Sequence, residues 1–316
     1  MPPSNQVNEK EETTTRGRDG SARGRERRER LAFCALLAGA VGIAFAPIFV
    51  RLSEVGPSAT AFYRLALALP ILWVWMTVEG RNAEATKRPM TARGRWQLIV
   101  AGLFFAVDLA LWHWSIKFTS VANATLFANS APIFVTLGAR VLFGERIRRS
   151  FIGALAIALA GAALVVGVSL HLTAGHVLGD ALAVGAAIFY GSYMLCVKHL
   201  RRTFSTATIM AWSGLSASPA LLLAAFASGE NLLPAHTSGW LTVFALALIS
   251  QVGGQSLIAY AFAHLPASFS SLSLLLQPAV AALLAWMILG EGLGLLQALG
   301  GVVILCGIAA ASRQQR

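Results

Sequence analysis

From Leu31 to its last few residues, the chain alternates long apolar runs with short polar connections. The runs cover residues 32–50, 58–79, 96–115, 121–142, 150–169, 177–198, 206–228, 239–261, 267–289 and 292–311. A hydrocarbon core about 30 Å thick needs about 20 residues of helix, and each run is near that length. None alternates apolar and polar residues with period two, as a membrane barrel requires, so helices are the spanning solution that remains. The expected fold is an all-α integral membrane protein of ten transmembrane helices.

Composition strengthens this reading. Of 316 residues, 56% are hydrophobic and 12% charged, whereas a soluble domain carries about a quarter of its residues as charges. Residues 1–30 stand apart, with eight basic and six acidic residues and little to bury, and are expected to form a disordered cytoplasmic tail. Glu26 and Glu29 dilute its Arg-rich end, so nucleic acid is not an expected partner. Arg27-Arg28 ahead of an apolar run, and Ala44-Phe45-Ala46 beyond it, imitate a secretory signal, but nine further apolar runs argue against cleavage. Cys34, Cys196 and Cys306 lie far apart in apolar stretches without metal-ligand spacing and read as small hydrophobes.

The net charge of +11 changes meaning once it is sorted by side. With the N-terminus inside, 22 of the 25 basic residues are cytoplasmic. They cluster in the tail, at residues 81–95, 140–149 and 198–202, and at the C-terminus. Short loops rich in Lys and Arg stay cytoplasmic, so both termini are expected there, in a bacterial inner membrane.

A shift of 146 positions carries Pro132 onto Pro278, Gly144-Glu145 onto Gly290-Glu291 and Gly161 onto Gly307. Residues 31–170 and 171–312 therefore read as two five-helix repeats, with 313–316 as a cytoplasmic C-terminus. Five is odd, so the second repeat is inverted relative to the first.

Ala61-Phe62-Tyr63-Arg64, Phe118 to Pro132 running on to Gly144-Glu145, and His264 to Pro278 running on to Gly290-Glu291 together resemble the drug/metabolite transporter superfamily, in its ten-helix branch with two EamA-type domains. The resemblance covers about residues 31–312. It implies a basket of ten helices around a central cavity, moving amino acids or related metabolites, often outward, by alternating access. The superfamily also includes drug, nucleotide-sugar and sugar-phosphate transporters.

Polar groups kept inside a bilayer face a water-filled cavity or one another. Thr125, Asn129, Pro132 and Thr136 share one face of span four. Span nine offers Ser270, Ser273 and Gln277, span eight Gln251 and Gln255, and span six Tyr190 and Tyr193. Asn129, Tyr190, Gln251 and Gln277 fall near mid-span, where inverted-repeat transporters hold substrate. Bonding between neighbouring helices is the competing role for each. Pro132 and Pro278 are expected to free the carbonyls of Ala128 and Leu274 and to act as kinks or hinges.

Arg64 and Asp108 lie at similar depths, on the order of 10 Å below the outer surface, and are expected to pair or to share one cavity. Asp108 is then either half of a structural ion pair or a proton-responsive, amine-binding carboxylate with Trp112 one turn along. His113 reads as an interfacial histidine or a proton relay, and Glu145 and Glu291 as caps on spans five and ten. No cofactor or metal is expected.

A membrane-embedded enzyme is the rival class. Neither a Gly-x-Ser-x-Gly nor a His-Glu-x-x-His motif occurs, and Asp108 alone is a deeply placed acid. The expected function is a transporter of amino acids or related small metabolites, an exporter or facilitator, with a drug or nucleotide-sugar carrier as the alternative.

Overall fold

The computed structural model describes residues 5–82, 91–119, 121–166, 177–290, 292 and 294–313. Ten helical spans long and apolar enough to cross a membrane lie among them: Glu26–Leu52, Pro57–Gly80, Ala92–Trp112, Ala124–Phe143, Arg149–Val166, Val177–Leu200, Thr206–Ala227, Thr237–His264, Ala267–Leu289 and Leu295–Arg313. They are called spans one to ten. Their outward faces keep large apolar side chains such as Val74, Val141, Leu223 and Leu295 exposed, as a lipid-solvated surface requires.

The way the spans pack shows the inverted duplication directly. Span three lies against span six, and span eight against span one; span four lies against span six, and span nine against span one. Spans two and seven pack together, as do spans five and ten. Each pairing maps onto another, or onto itself, when span n exchanges with span n + 5, so one twofold relation organises the bundle.

Spans five and ten meet backbone to backbone. A Cβ on Gly161 would fall 2.8 Å from the Gly300 carbonyl oxygen, and one on Gly300 would fall 2.7 Å from that of Gly161. Lipid supplies no hydrophobic force between helices, so dispersion contact of this closeness is what holds the two repeats together at this seam. Span one approaches span eight similarly through Gly39 and Gly42 against Gly254, and the Ser250 hydroxyl donates to the Gly42 carbonyl at 2.9 Å.

Spans one, two, four and nine are each two helices in series. The breaks fall at Phe45, Leu67–Ala68, Asn129–Ser130 and Leu274–Leu275, just ahead of Pro47, Pro70, Pro132 and Pro278. The reason is local: proline has no N–H for the preceding turn and its ring clashes there. One expectation fails at this point. The Leu274 carbonyl is not left free by Pro278, because the Gln277 N–H takes it at 3.0 Å in a tighter turn. Span eight carries a distortion that no proline announces, a π-helical stretch over Leu246–Gln255.

The helix that opens span one runs over Asn5–Ala44. Its charges fall at helix-compatible spacing, as in the Arg30–Glu26 pair at 2.6 Å and four residues apart, and such pairs favour helix.

Candidate functional site

Two neighbouring constellations occupy the middle of the bundle. The first is a cavity lined by Asn129 and Pro132 of span four, Tyr190 and Met194 of span six, and Ser271 and Gln277 of span nine, together with Ala128, Ala131, Leu274 and Leu275. The helix breaks open it. At Asn129–Ser130 and Leu274–Leu275 the chain changes direction, and the residues at both breaks line the space. The Gln277 side-chain nitrogen is buried there beside Tyr190, with no hydrogen bond of good geometry among the described residues. An unsatisfied buried donor costs about 1–3 kcal/mol, which a bound acceptor would recover.

The second constellation is charged. Arg64 of span two retains 9% of its surface and Asp108 of span three 8%. Arg64 Nε donates to Gln251 Oε1 at 3.0 Å, and its guanidinium carbon stands 5.9 Å from the centre of the Phe105 ring. That ring stacks on Tyr193 with 4.6 Å between centroids. The Tyr193 hydroxyl in turn donates to Met210 Sδ at 3.8 Å. The π-helical stretch of span eight holds Gln251, 1% exposed, and Gln255, 2% exposed. Arg64 and Asp108 are within electrostatic reach of each other and of both tyrosine hydroxyls, yet no contact ion pair joins them among the described residues.

Tyr190 and Tyr193 connect the two groups, their rings 6.5 Å apart and nearly parallel. Asn129, Tyr190, Gln277 and Pro132 thus belong to the cavity, and Arg64, Asp108, Tyr193 and Gln251 to the charged cluster beside it. Trp112 is half-buried one turn beyond Asp108 and is not among the cavity-lining residues. Pro278 stands at the start of the second segment of span nine, next to Gln277. The side chain of His113 and residue Glu291 lie outside the described residues.

Sequence reasoning missed the junction at the basic end of the bundle. Glu145 does not cap span five. Its carboxylate accepts from the Ala267 N–H at 2.7 Å, the Ser268 N–H at 3.2 Å and the Ser268 hydroxyl at 2.6 Å, so it caps span nine of the other repeat. Lys198 Nζ donates to the Leu265 carbonyl in the same corner. Gly144 makes this possible: its φ of +66° ends span four in the left-handed region and swings Glu145 across the repeat boundary. Gly290, at the repeat-related position, has φ +68°. The repeated Gly-Glu dipeptide was visible in the sequence, but its partner 122 residues away was not.

A ten-span helical membrane protein built as two inverted repeats around a polar centre is the architecture of a transporter. The chain matches the EamA-like transporter family over residues 30–167 and 177–313, and it belongs to that family. Among curated relatives, a probable terminal-alkyne amino-acid exporter of Streptantibioticus cattleyicolor is 27% identical over 86% of this chain and 89% of its own. The pseudopaline exporter of Pseudomonas aeruginosa is 23% identical over 81% of this chain and 86% of its own. A riboflavin transporter of Vibrio cholerae is 26% identical over 67% and 68%. A solved crystal structure superposes with a TM-score of 0.72 over 92% of this chain and 97% of that one, at 18% identity, and so shares the fold.

Proposed function

We propose that this chain carries amino acids or related small metabolites across the inner membrane, as an exporter or facilitator working by alternating access, with its basic end and both termini in the cytoplasm. One observation carries the reading: the cavity at the helix breaks is lined from both repeats, with amide and phenol groups set among apolar walls. Walls of that kind suit a substrate with an apolar body and a few polar groups. A cavity shared by two repeats is exposed to one side or the other as the repeats rock. The two exporter relatives, named for an amino acid and for pseudopaline, support the same class. Basic residues concentrated at one end support the orientation.

The test is flux of labelled amino acids in proteoliposomes, with and without a pH gradient. Saturable movement of at least one amino acid is the expected result. Failure of every amino acid, with riboflavin or a nucleotide sugar carried instead, would overturn the substrate class.

A further inference from the structure

A buried pair kept for stability closes into contact, because attraction repays desolvation only with good geometry and added hydrogen bonds. Arg64 and Asp108 do not close. Gln251 holds the guanidinium by Nε, and the Phe105 ring lies within 5.9 Å of it. Held by Nε, the guanidinium is left with its two terminal nitrogens, the fork that binds a carboxylate through two hydrogen bonds. Asp108 lies on the neighbouring span, in electrostatic reach of the guanidinium but out of contact with it. Both side chains are buried in the bundle, with 9% and 8% of their surface exposed.

We propose that Arg64 and Asp108 form a receptor for a zwitterionic head group, Arg64 taking the substrate's carboxylate and Asp108 its ammonium, so that the ligand completes two ion pairs the protein leaves open. The proposal rests on the transport reading above and specifies its substrate: an α-amino acid with both charges free. The Tyr190–Tyr193 stack leads from this receptor to the cavity at the helix breaks. Ala128, Ala131, Pro132, Met194, Leu274 and Leu275 supply apolar walls there, so the favoured side chain is apolar. Gln251 is a positioning residue, fixing the direction in which the guanidinium points.

The experiment is competition against labelled leucine flux in proteoliposomes, using leucine methyl ester, which keeps the ammonium alone, and N-acetyl-leucine, which keeps the carboxylate alone. In the wild type both analogues should compete at least about tenfold more weakly than leucine, since each forfeits one charge-assisted contact. Arg64→Gln should weaken leucine by a similar factor and leave the ester unchanged. Asp108→Asn should weaken leucine while leaving N-acetyl-leucine unchanged. Arg64→Lys and Asp108→Glu, which keep the charges, should recover part of the loss. Equal competition by leucine and both analogues in the wild type overturns the receptor, whatever the variants do. So does a loss in either variant that falls equally on leucine and both analogues. If the wild type moves no amino acid, the transport reading fails and takes the receptor with it. If leucine moves but the analogues are not discriminated, the receptor fails alone.

Discussion

Two charged sites in this bundle are treated in opposite ways. At the basic end, the Glu145 carboxylate receives three hydrogen bonds from the opposite repeat, two from backbone amides at a helix start and one from Ser268. At the centre, the Arg64 guanidinium has one side-chain hydrogen bond among the described residues, to Gln251, and Asp108 stays out of contact with it although it lies within electrostatic reach. A charge that fastens one element to another is worth most when fully satisfied, since leaving any part unpaired costs about 1–3 kcal/mol. A charge kept short of partners in the interior spends stability that packing must restore. The contrast separates a charge that joins the repeats from the central charges that the proposed receptor leaves to a ligand.

The strongest way to break the contrast is to remove the central charges without leaving an orphan. Arg64→Met, Asp108→Leu and Gln251→Leu together replace the cluster by apolar groups of similar size. Buried ionic groups exchanged in this way are often neutral or gain about 1–4 kcal/mol. The triple variant should therefore keep or raise its thermal midpoint in detergent, while amino-acid flux falls by about 100-fold or more. A midpoint well below that of the wild type would mean that the central charges support the fold and would collapse the distinction.

Glu145→Ala tests the other side. Loss of an N-terminal cap costs about 1 kcal/mol, so amide exchange at Ala267 and Ser268 should rise by about fivefold. The cavity residues on the second segment of span nine should be unaffected. Glu145→Gln, which keeps one acceptor oxygen, should fall between the two. No rise in Glu145→Ala would show that packing alone fixes the start of span nine.

How much of this was legible beforehand follows the same division. The spans and their duplication were readable because lipid imposes length and apolarity on each span and because Pro132, Pro278 and the two Gly-Glu pairs repeat at one offset. The helix breaks ahead of Pro132 and Pro278 were readable from proline, whose effect is confined to its own turn. Asn129, Tyr190 and Gln277 could be picked out as costly mid-span polar groups, and the fold sets them around one cavity. Their division from Arg64, Asp108, Tyr193 and Gln251 could not be foreseen, because it depends on how spans two, three, six and eight rotate about their axes. The π-helical stretch of span eight, which carries Gln251 and Gln255, has no proline to announce it. The Glu145 junction was hidden because a left-handed residue at Gly144 redirects the chain, and no periodicity records that turn.

The smallest effect belongs to the end opposite Glu145, where a second carboxylate joins the repeats in the open. Glu54, between spans one and two, accepts from the Ala235 N–H at 2.9 Å and the His236 N–H at 3.0 Å, and from the Ser238 hydroxyl at 3.3 Å. The backbone amide of His236, chiefly, holds the Glu54 carboxyl below its ordinary value of 4.5. A carboxyl depressed by folding adds stability that is fully present above its unfolded value and is lost as pH falls through its folded one. The loop holding Ala235 and His236 should therefore stay protected down to about pH 4.5 and loosen only below it. Solvent screens so exposed a site, which limits the change. Hydrogen exchange at these two amides, taken as a ratio to Glu54→Gln at each pH, isolates this effect from the intrinsic pH dependence of exchange. The ratio should show slower exchange in the wild type at neutral pH and approach one in acid. A ratio that stays constant would mean that Glu54 merely fits between the loops and does not fasten repeat to repeat as Glu145 does.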